Sequence, residues 1–165
     1  MAHIVAINSY ICDHYFSVIK KKMSIQEIQE EIVEEFTVFD DWMDRYSYLI
    51  ELGNDLKDMD QERKTDQTLI EGCQSKVWID AEVKDGRIYY YAESDAVIVK
   101  GIVALLLRVF SGRTLQEVLD SELFFIDAIG LSTHLSPTRS NGLLAMVKQM
   151  RLYAIAFNAK EKNHE

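Results

Sequence analysis

A chain of 165 residues, 48% of them hydrophobic, is the size of one domain and can bury a real core. Its formal net charge of −9, from 27 Asp plus Glu against 18 Lys plus Arg, repels nucleic-acid phosphate and argues against a DNA or RNA partner. One proline and seven glycines leave little room for a flexible linker or a many-turned β-sandwich, so long helices are expected. Two cysteines, Cys12 and Cys73, rule out a multi-disulfide framework and a Cys-rich metal site, and fit a reducing, cytoplasmic compartment.

Residues 1–22 are mildly apolar, but their lysines follow the apolar part and no cleavage pattern is clear, so they read as an extension rather than a signal peptide. The domain is placed at residues 23–158, with 159–165 as a frayed tail. Ser24 and Glu27 form a capping box, after which Ile25, Ile28, Ile32 and Phe36 recur at helical spacing. The remaining face, rich in Gln and Glu, reads as solvated. Asp40 or Asp41 caps a second helix with Trp42, Tyr46, Leu49 and Ile50 as its stripe and Gly53 as its exit. The two helices should pack as a pair.

Gly53 to Thr68 is polar and aperiodic, a surface connection. The period then changes to two: Val77, Ile79, Ala81 and Val83 alternate with Trp78, Asp80 and Glu82. Asp85–Gly86 turns the chain, and Arg87 to Tyr91 return as the partner strand. Ser94 or Asp95 opens the apolar run Ala96 to Phe110, which Lys100, Gly101 and Arg108 interrupt. It is too short and too interrupted to span a membrane and reads as the buried central helix. Thr114 with Glu117 is a second capping box, and Leu123 to Ile129 form a helical segment ending at Gly130. A polar loop from Leu131 to Ser140 holds the single proline, Pro137, and leads into a terminal helix with Leu143, Leu144, Val147, Met150 and Arg151 at helical spacing. Helix pair, small antiparallel sheet, then helices is an α+β order.

Cys73 lies in Glu71–Gly72–Cys73–Gln74–Ser75–Lys76, a polar corner directly before a strand, where Gly72 leaves room for close approach to the sulfur. Read from the residues alone, an accessible reactive thiol and an inert one both stay open. A cysteine hydrolase needs an oriented histidine, and His134, in what reads as a second loop, is the only internal candidate. Zinc needs three or four ligands, and His3, His14 and His164 fall in the extension and the tail, so no metal site is read. Gly101 and Gly112 are isolated, so no phosphate loop is present.

Four blocks carry a resemblance: Glu51–Leu52–Gly53; Ile70 through Trp78, containing Gly72–Cys73–Gln74–Ser75; Ser94–Asp95–Ala96 with Ile98–Val99–Lys100–Gly101; and His134–Leu135–Ser136–Pro137–Thr138–Arg139–Ser140–Asn141–Gly142–Leu143. In that order, from about Met23 to about Ala156, the chain resembles the SufE family and its CsdE paralogues. The resemblance implies an α+β fold shared with U-type iron–sulfur scaffold proteins: an N-terminal helix pair, a three-stranded antiparallel sheet and C-terminal helices packed on it. It also implies a sulfur carrier that is not itself an enzyme and that stimulates a SufS- or CsdA-like cysteine desulfurase. The pyridoxal phosphate belongs to that partner, so no cofactor is expected here, and delivery is to a scaffold complex containing SufB. By carry-over Cys73 is the persulfide acceptor. Arg139 is the candidate for stabilising its charge, and Gly72, Gln74, Ser75, Asp95 and His134 are loop or partner-binding residues. No membrane partner is implied, and a weak homodimer stays open. The alternative is a U-type cluster scaffold, which needs about three thiolates.

Overall fold

The computed structural model describes residues 23–163. The readings made above on residues 1–22, Cys12, His3, His14 and His164 lie outside that range.

Helix α1, Ile25–Thr37, begins with the expected capping box: the Glu27 N–H donates to Ser24 Oγ and the Ser24 N–H to the Glu27 carboxylate. Its stripe of Ile25, Ile28, Ile32 and Phe36 is buried. Helix α2, Trp42–Asn54, is capped by Asp41, which accepts from the Asp44 N–H at 2.9 Å. Gly53, expected as its exit, lies inside the helix. The reason is tertiary: the α2 backbone there touches Lys100 and Gly101 on the central helix.

Strands β1, Val77–Lys84, and β2, Arg87–Ser94, pair antiparallel through a turn at Asp85 and Gly86, both at positive φ as a two-residue hairpin requires. A short β3, Arg113–Thr114, adds to β2, giving the order β1-β2-β3. Strand β2 runs three residues past the expected Tyr91. Because Val77, Ile79 and Ala81 sit opposite Ser94, Ala92 and Tyr90, one face of the hairpin is apolar and buried.

That face packs against α3, Val97–Phe110, and α7, Pro137–Lys162, while α1 and α2 pack on α3. Helix α3 is the buried centre, as its composition implies. Its entrance differs from expectation: Ala96 is the cap residue without a side-chain bond, and Asp95 points elsewhere. Helix α4, Leu115–Asp120, has the second capping box. The polar loop expected over Leu131–Ser140 is largely helical. Following the one-turn helix α5, Phe125–Ala128, a further turn α6, Leu131–His134, precedes Pro137, which is the first residue of α7. Helix α7 continues through Lys162 rather than ending near residue 158, and Leu144, expected in its stripe, is 67% exposed. Two tyrosines pin α7 to the sheet: Tyr90 donates to the Met150 carbonyl at 2.7 Å and Tyr153 to the Ile79 carbonyl at 2.9 Å.

The Glu- and Gln-rich face of α1 is not simply solvated. Gln29 is 1% exposed; its amide donates to the Glu122 carbonyl, and its oxygen accepts from the Phe124 and Phe125 N–H groups at 2.9 and 3.3 Å. Those N–H groups begin α5, so Gln29 does the work of a cap from another helix. Replacing Gln29 with Leu keeps the volume but strands the buried Phe125 N–H and the part-buried Phe124 N–H and Glu122 carbonyl, an expected loss of about 2 kcal/mol in urea unfolding.

Glu31 and Glu35 of α1 reach Arg108 of α3 at 2.7 and 2.5 Å. Burial pushes the Glu35 carboxyl up, but hydrogen bonds from Arg108 and Tyr48, with the Arg108 charge, together hold it below the ordinary value. Burial and Glu35 push the Tyr48 phenol up to about 12. A depressed carboxyl contributes stability above its unfolded pKa of about 4.3, lost as pH falls through the folded value. In Arg108→Met the half-buried Glu35 lacks its partner and its pKa rises instead. The variant's deficit, about 2 kcal/mol near neutrality, is expected to shrink as pH drops below about 4.3 in unfolding curves taken across pH.

Candidate functional site around Cys73

The polar connection after α2 is a brace for the loop it leads into. A 3-10 turn, Gln61–Arg63, places the Arg63 guanidinium 2.6 Å from Asp80 and 3.0 Å from Glu82, stacked 3.9 Å over the Tyr91 ring. Lys64 meets Glu93 at 2.8 Å. These contacts cover the polar face of the hairpin, and Met59 is buried beside them. The chain then runs antiparallel to β1: the Ile79 N–H donates to the Thr68 carbonyl at 2.9 Å and the Ile70 N–H to the Val77 carbonyl at 2.8 Å.

Between Ile70 and Val77 the chain must reverse, and Gly72 supplies the left-handed conformation, φ +87°, that a side chain would strain. Asp95 closes the other side of the loop. Its carboxylate accepts from the Lys76 N–H at 3.0 Å, and its own N–H donates to the Lys76 carbonyl at 3.2 Å. The carboxylate at the α3 entrance therefore fixes the Cys73 loop rather than capping the helix.

Cys73 sits half-buried at the edge of a recess of about 240 Å³. Val77 of β1, Val99 and Ile102 of α3, and Gly142 and Met146 of α7 form its apolar floor and walls. Exposed Gln74, Thr138 and Arg139 make its rim, with Ser75 beside them. The thiol donates weakly to the Gly142 carbonyl, Sγ···O 3.7 Å. Burial pushes the Cys73 pKa above its ordinary value, and no charged group among the described residues contributes. At rest the thiol form is favoured, and the sulfur faces a cavity with an apolar floor and a polar rim.

Of the residues singled out in the sequence, the fold gathers Gln74, Ser75 and Arg139 around the cavity of Cys73, with Gly72 and Asp95 shaping the loop. Arg139 is in the first turn of α7, and no carboxylate pairs with it among the described residues. His134 is not brought to the cavity. Its ring stacks on Trp42 at 3.8 Å and 14°, its Nδ1 lies 3.1 Å from the Gly130 carbonyl, and its own carbonyl accepts from the Tyr46 hydroxyl at 2.9 Å. It braces α2 against the entrance of α7. Thr138, Gly142, Met146, Val99 and Ile102 line the cavity without having been expected there. Only Gly142, a glycine inside a helix, carried a signal in its residue type. Among the described residues Cys73 is the sole cysteine, and no three His, Cys, Asp or Glu side chains converge to hold a metal.

A helical layer against one face of a small antiparallel hairpin sheet, with Cys73 held in a tight loop over a cavity of apolar floor and polar rim, defines an α+β thiol protein. Comparison with known proteins narrows the class. Residues 30–154 match the SufE family model, described as an Fe-S metabolism associated domain. An uncharacterized SufE-like protein of Rhizobium meliloti is 37% identical over 127 residues, 74% of this chain and 91% of that protein. One of Synechocystis is 40% identical over 127 residues, 77% of this chain and 80% of that protein. The solution structure of a hypothetical protein from Thermus thermophilus superposes with a TM-score of 0.65 at 21% identity, over 78% of this chain and 94% of that one, and shares the fold. The chain belongs to the SufE family, which places it in iron–sulfur metabolism. No helix among the described residues is long and apolar enough to cross a membrane.

Proposed function

We propose that this chain is a sulfur acceptor and carrier. It takes persulfide sulfur from a pyridoxal-phosphate cysteine desulfurase onto Cys73, stimulates that enzyme by clearing its sulfur, and delivers to an iron–sulfur scaffold complex. The observation that carries the reading is the setting of Cys73: a nucleophilic atom on a tethered loop over a cavity with an apolar floor, with no base beside it among the described residues. A hydrolase so arranged lacks its proton acceptor. A carrier is activated by the partner it docks on.

In the transfer, the Cys73 thiolate attacks the terminal sulfur of the partner's persulfide. The bond from Cys73 Sγ to that sulfur forms as the partner's S–S bond breaks, and the partner's cysteine leaves as a thiolate, so nothing is oxidised or reduced overall. Turned outward, the sulfur reaches the exposed Arg139 and the positive end of α7, which favour its anionic form. Turned inward, a persulfide finds ample room, since one further atom needs about the share of a water molecule, roughly 30 Å³, against about 240 Å³ in the cavity. A cluster scaffold is disfavoured by the single cysteine among the described residues.

The test is intact-mass measurement after incubating the full chain with a desulfurase and cysteine. One added sulfur, mapped to the Cys73 peptide and removed by a thiol reductant, is expected. No gain in mass, or sulfur mapped only elsewhere, would sink the reading.

A further inference from the structure

Gly142 occupies the second turn of α7, where a glycine costs a helix about 1 kcal/mol relative to alanine. A Cβ built there would lie 3.2 Å from the Cys73 sulfur and 3.8 Å from the Cys73 Cα and Cβ, its three nearest neighbours all belonging to that one residue. The Gly142 carbonyl is also the acceptor of the thiol. Both the missing side chain and the carbonyl of this position therefore act on the same sulfur atom.

We propose that Gly142 is the positioning residue for the Cys73 sulfur: its bare Cα opens the berth that shelters the resting thiol, and any side chain there turns the sulfur out toward the rim. What gives way on adding a methyl is decided by stiffness. The α7 backbone is held to the sheet through Met150 and Tyr153, and Ile79 and Val77 beneath it are fully buried. Cys73 has one rotatable side-chain bond and stands on a loop whose Gly72 already turns to the outside. Sulfur therefore moves first, and the open direction is toward Thr138 and Arg139. The berth is also selective by charge, because a thiolate has no proton to offer the Gly142 carbonyl. It keeps the neutral thiol in and disfavours the anion, so transfer begins with the sulfur leaving Gly142. That last step rests on the sulfur-carrier reading; the sheltering does not.

The experiment uses the full chain with Cys12→Ser, leaving Cys73 as its one thiol, and follows alkylation by iodoacetamide across pH. A crowded rotamer costs about 1 kcal/mol, so Gly142→Ala is expected to raise the neutral-pH rate about fivefold. The pH midpoint of the rate should also move down as the thiol leaves its apolar cover, a change that looser packing elsewhere would not produce. An unchanged or slower rate overturns the proposal. Melting curves of the same substitution in a Cys73→Ala background supply the second arm. With no sulfur to meet, Gly142→Ala is expected there to melt at or above its glycine parent, through helix propensity alone. Destabilisation in that background equal to that in the Cys73 chain overturns the proposal, because the methyl would then be meeting something other than sulfur. If alkylation accelerates while a desulfurase adds no sulfur to Cys73, the sheltering role stands and the carrier function falls.

Discussion

A Cys73→Ser chain is expected to gain no sulfur from a cysteine desulfurase and to lose all stimulation of it, while unfolding within about 1 kcal/mol of the wild type. The functional loss is complete because a hydroxyl cannot form the bond on which the carrier depends. An alcohol is far less acidic than a thiol, and among the described residues no base stands beside residue 73 to compensate. Stability is spared because the change is local and small: residue 73 is half-buried at the cavity edge, and the contact it loses to the Gly142 carbonyl is a weak one at 3.7 Å. Intact mass, desulfurase turnover and a urea curve on one preparation check the three parts together. Sulfur loading of Cys73→Ser at the wild-type level would remove Cys73 from the mechanism and turn attention to Cys12, which is why the Cys12→Ser chain is the matching control.

How much of this was legible beforehand follows the range over which each signal acts. Local signals held: both capping boxes, the alternation of β1 and the Asp85–Gly86 turn each depend on residues within four positions of one another. The α+β class followed from their order. Errors arose where a distant partner reassigned a residue. Asp95 reads from its position alone as a helix cap, and only the resemblance sets it beside the Cys73 loop, where its carboxylate takes the Lys76 N–H nineteen positions away. Gln29 reads as solvated surface, yet it serves Phe124 and Phe125 about ninety-five positions on. His134 sits in the same block as Arg139, five residues away, but one faces Trp42 and the other the cavity rim, because the chain turns between α6 and α7. Cys73 stood out as a candidate because its polar, Gly-marked corner is a local feature, although the residues alone left an inert thiol equally open and the resemblance supplied its role. Its apolar cavity was not, since the walls come from β1, α3 and α7.

The glycine pair at the α2–α3 contact shows the same logic at its most costly. Gly101→Ala should destabilise the protein by about 3 kcal/mol or more, lowering Tm by roughly 10 °C, although alanine is the better helix former by about 1 kcal/mol. A Cβ at Gly101 would fall 2.0 Å from the Leu49 carbonyl oxygen and 2.6 Å from its carbon, both backbone atoms of α2. No rotamer relieves such an overlap, so the helices must separate around fully buried Leu49 and Ile102. Gly53→Ala is the graded companion, its Cβ 2.8 Å from the Gly101 nitrogen, and should cost less. The consequence reaches the site, because α3 also presents Val99 and Ile102 to the Cys73 cavity. A displaced α3 opens that wall, so the Gly53→Ala chain is expected to alkylate at Cys73 faster than the wild type even at temperatures where it is fully folded. Scanning calorimetry ranks the two substitutions. If Gly101→Ala melts at or above the wild type, the backbones of α2 and α3 are not in the close contact that leaves no room for a side chain there.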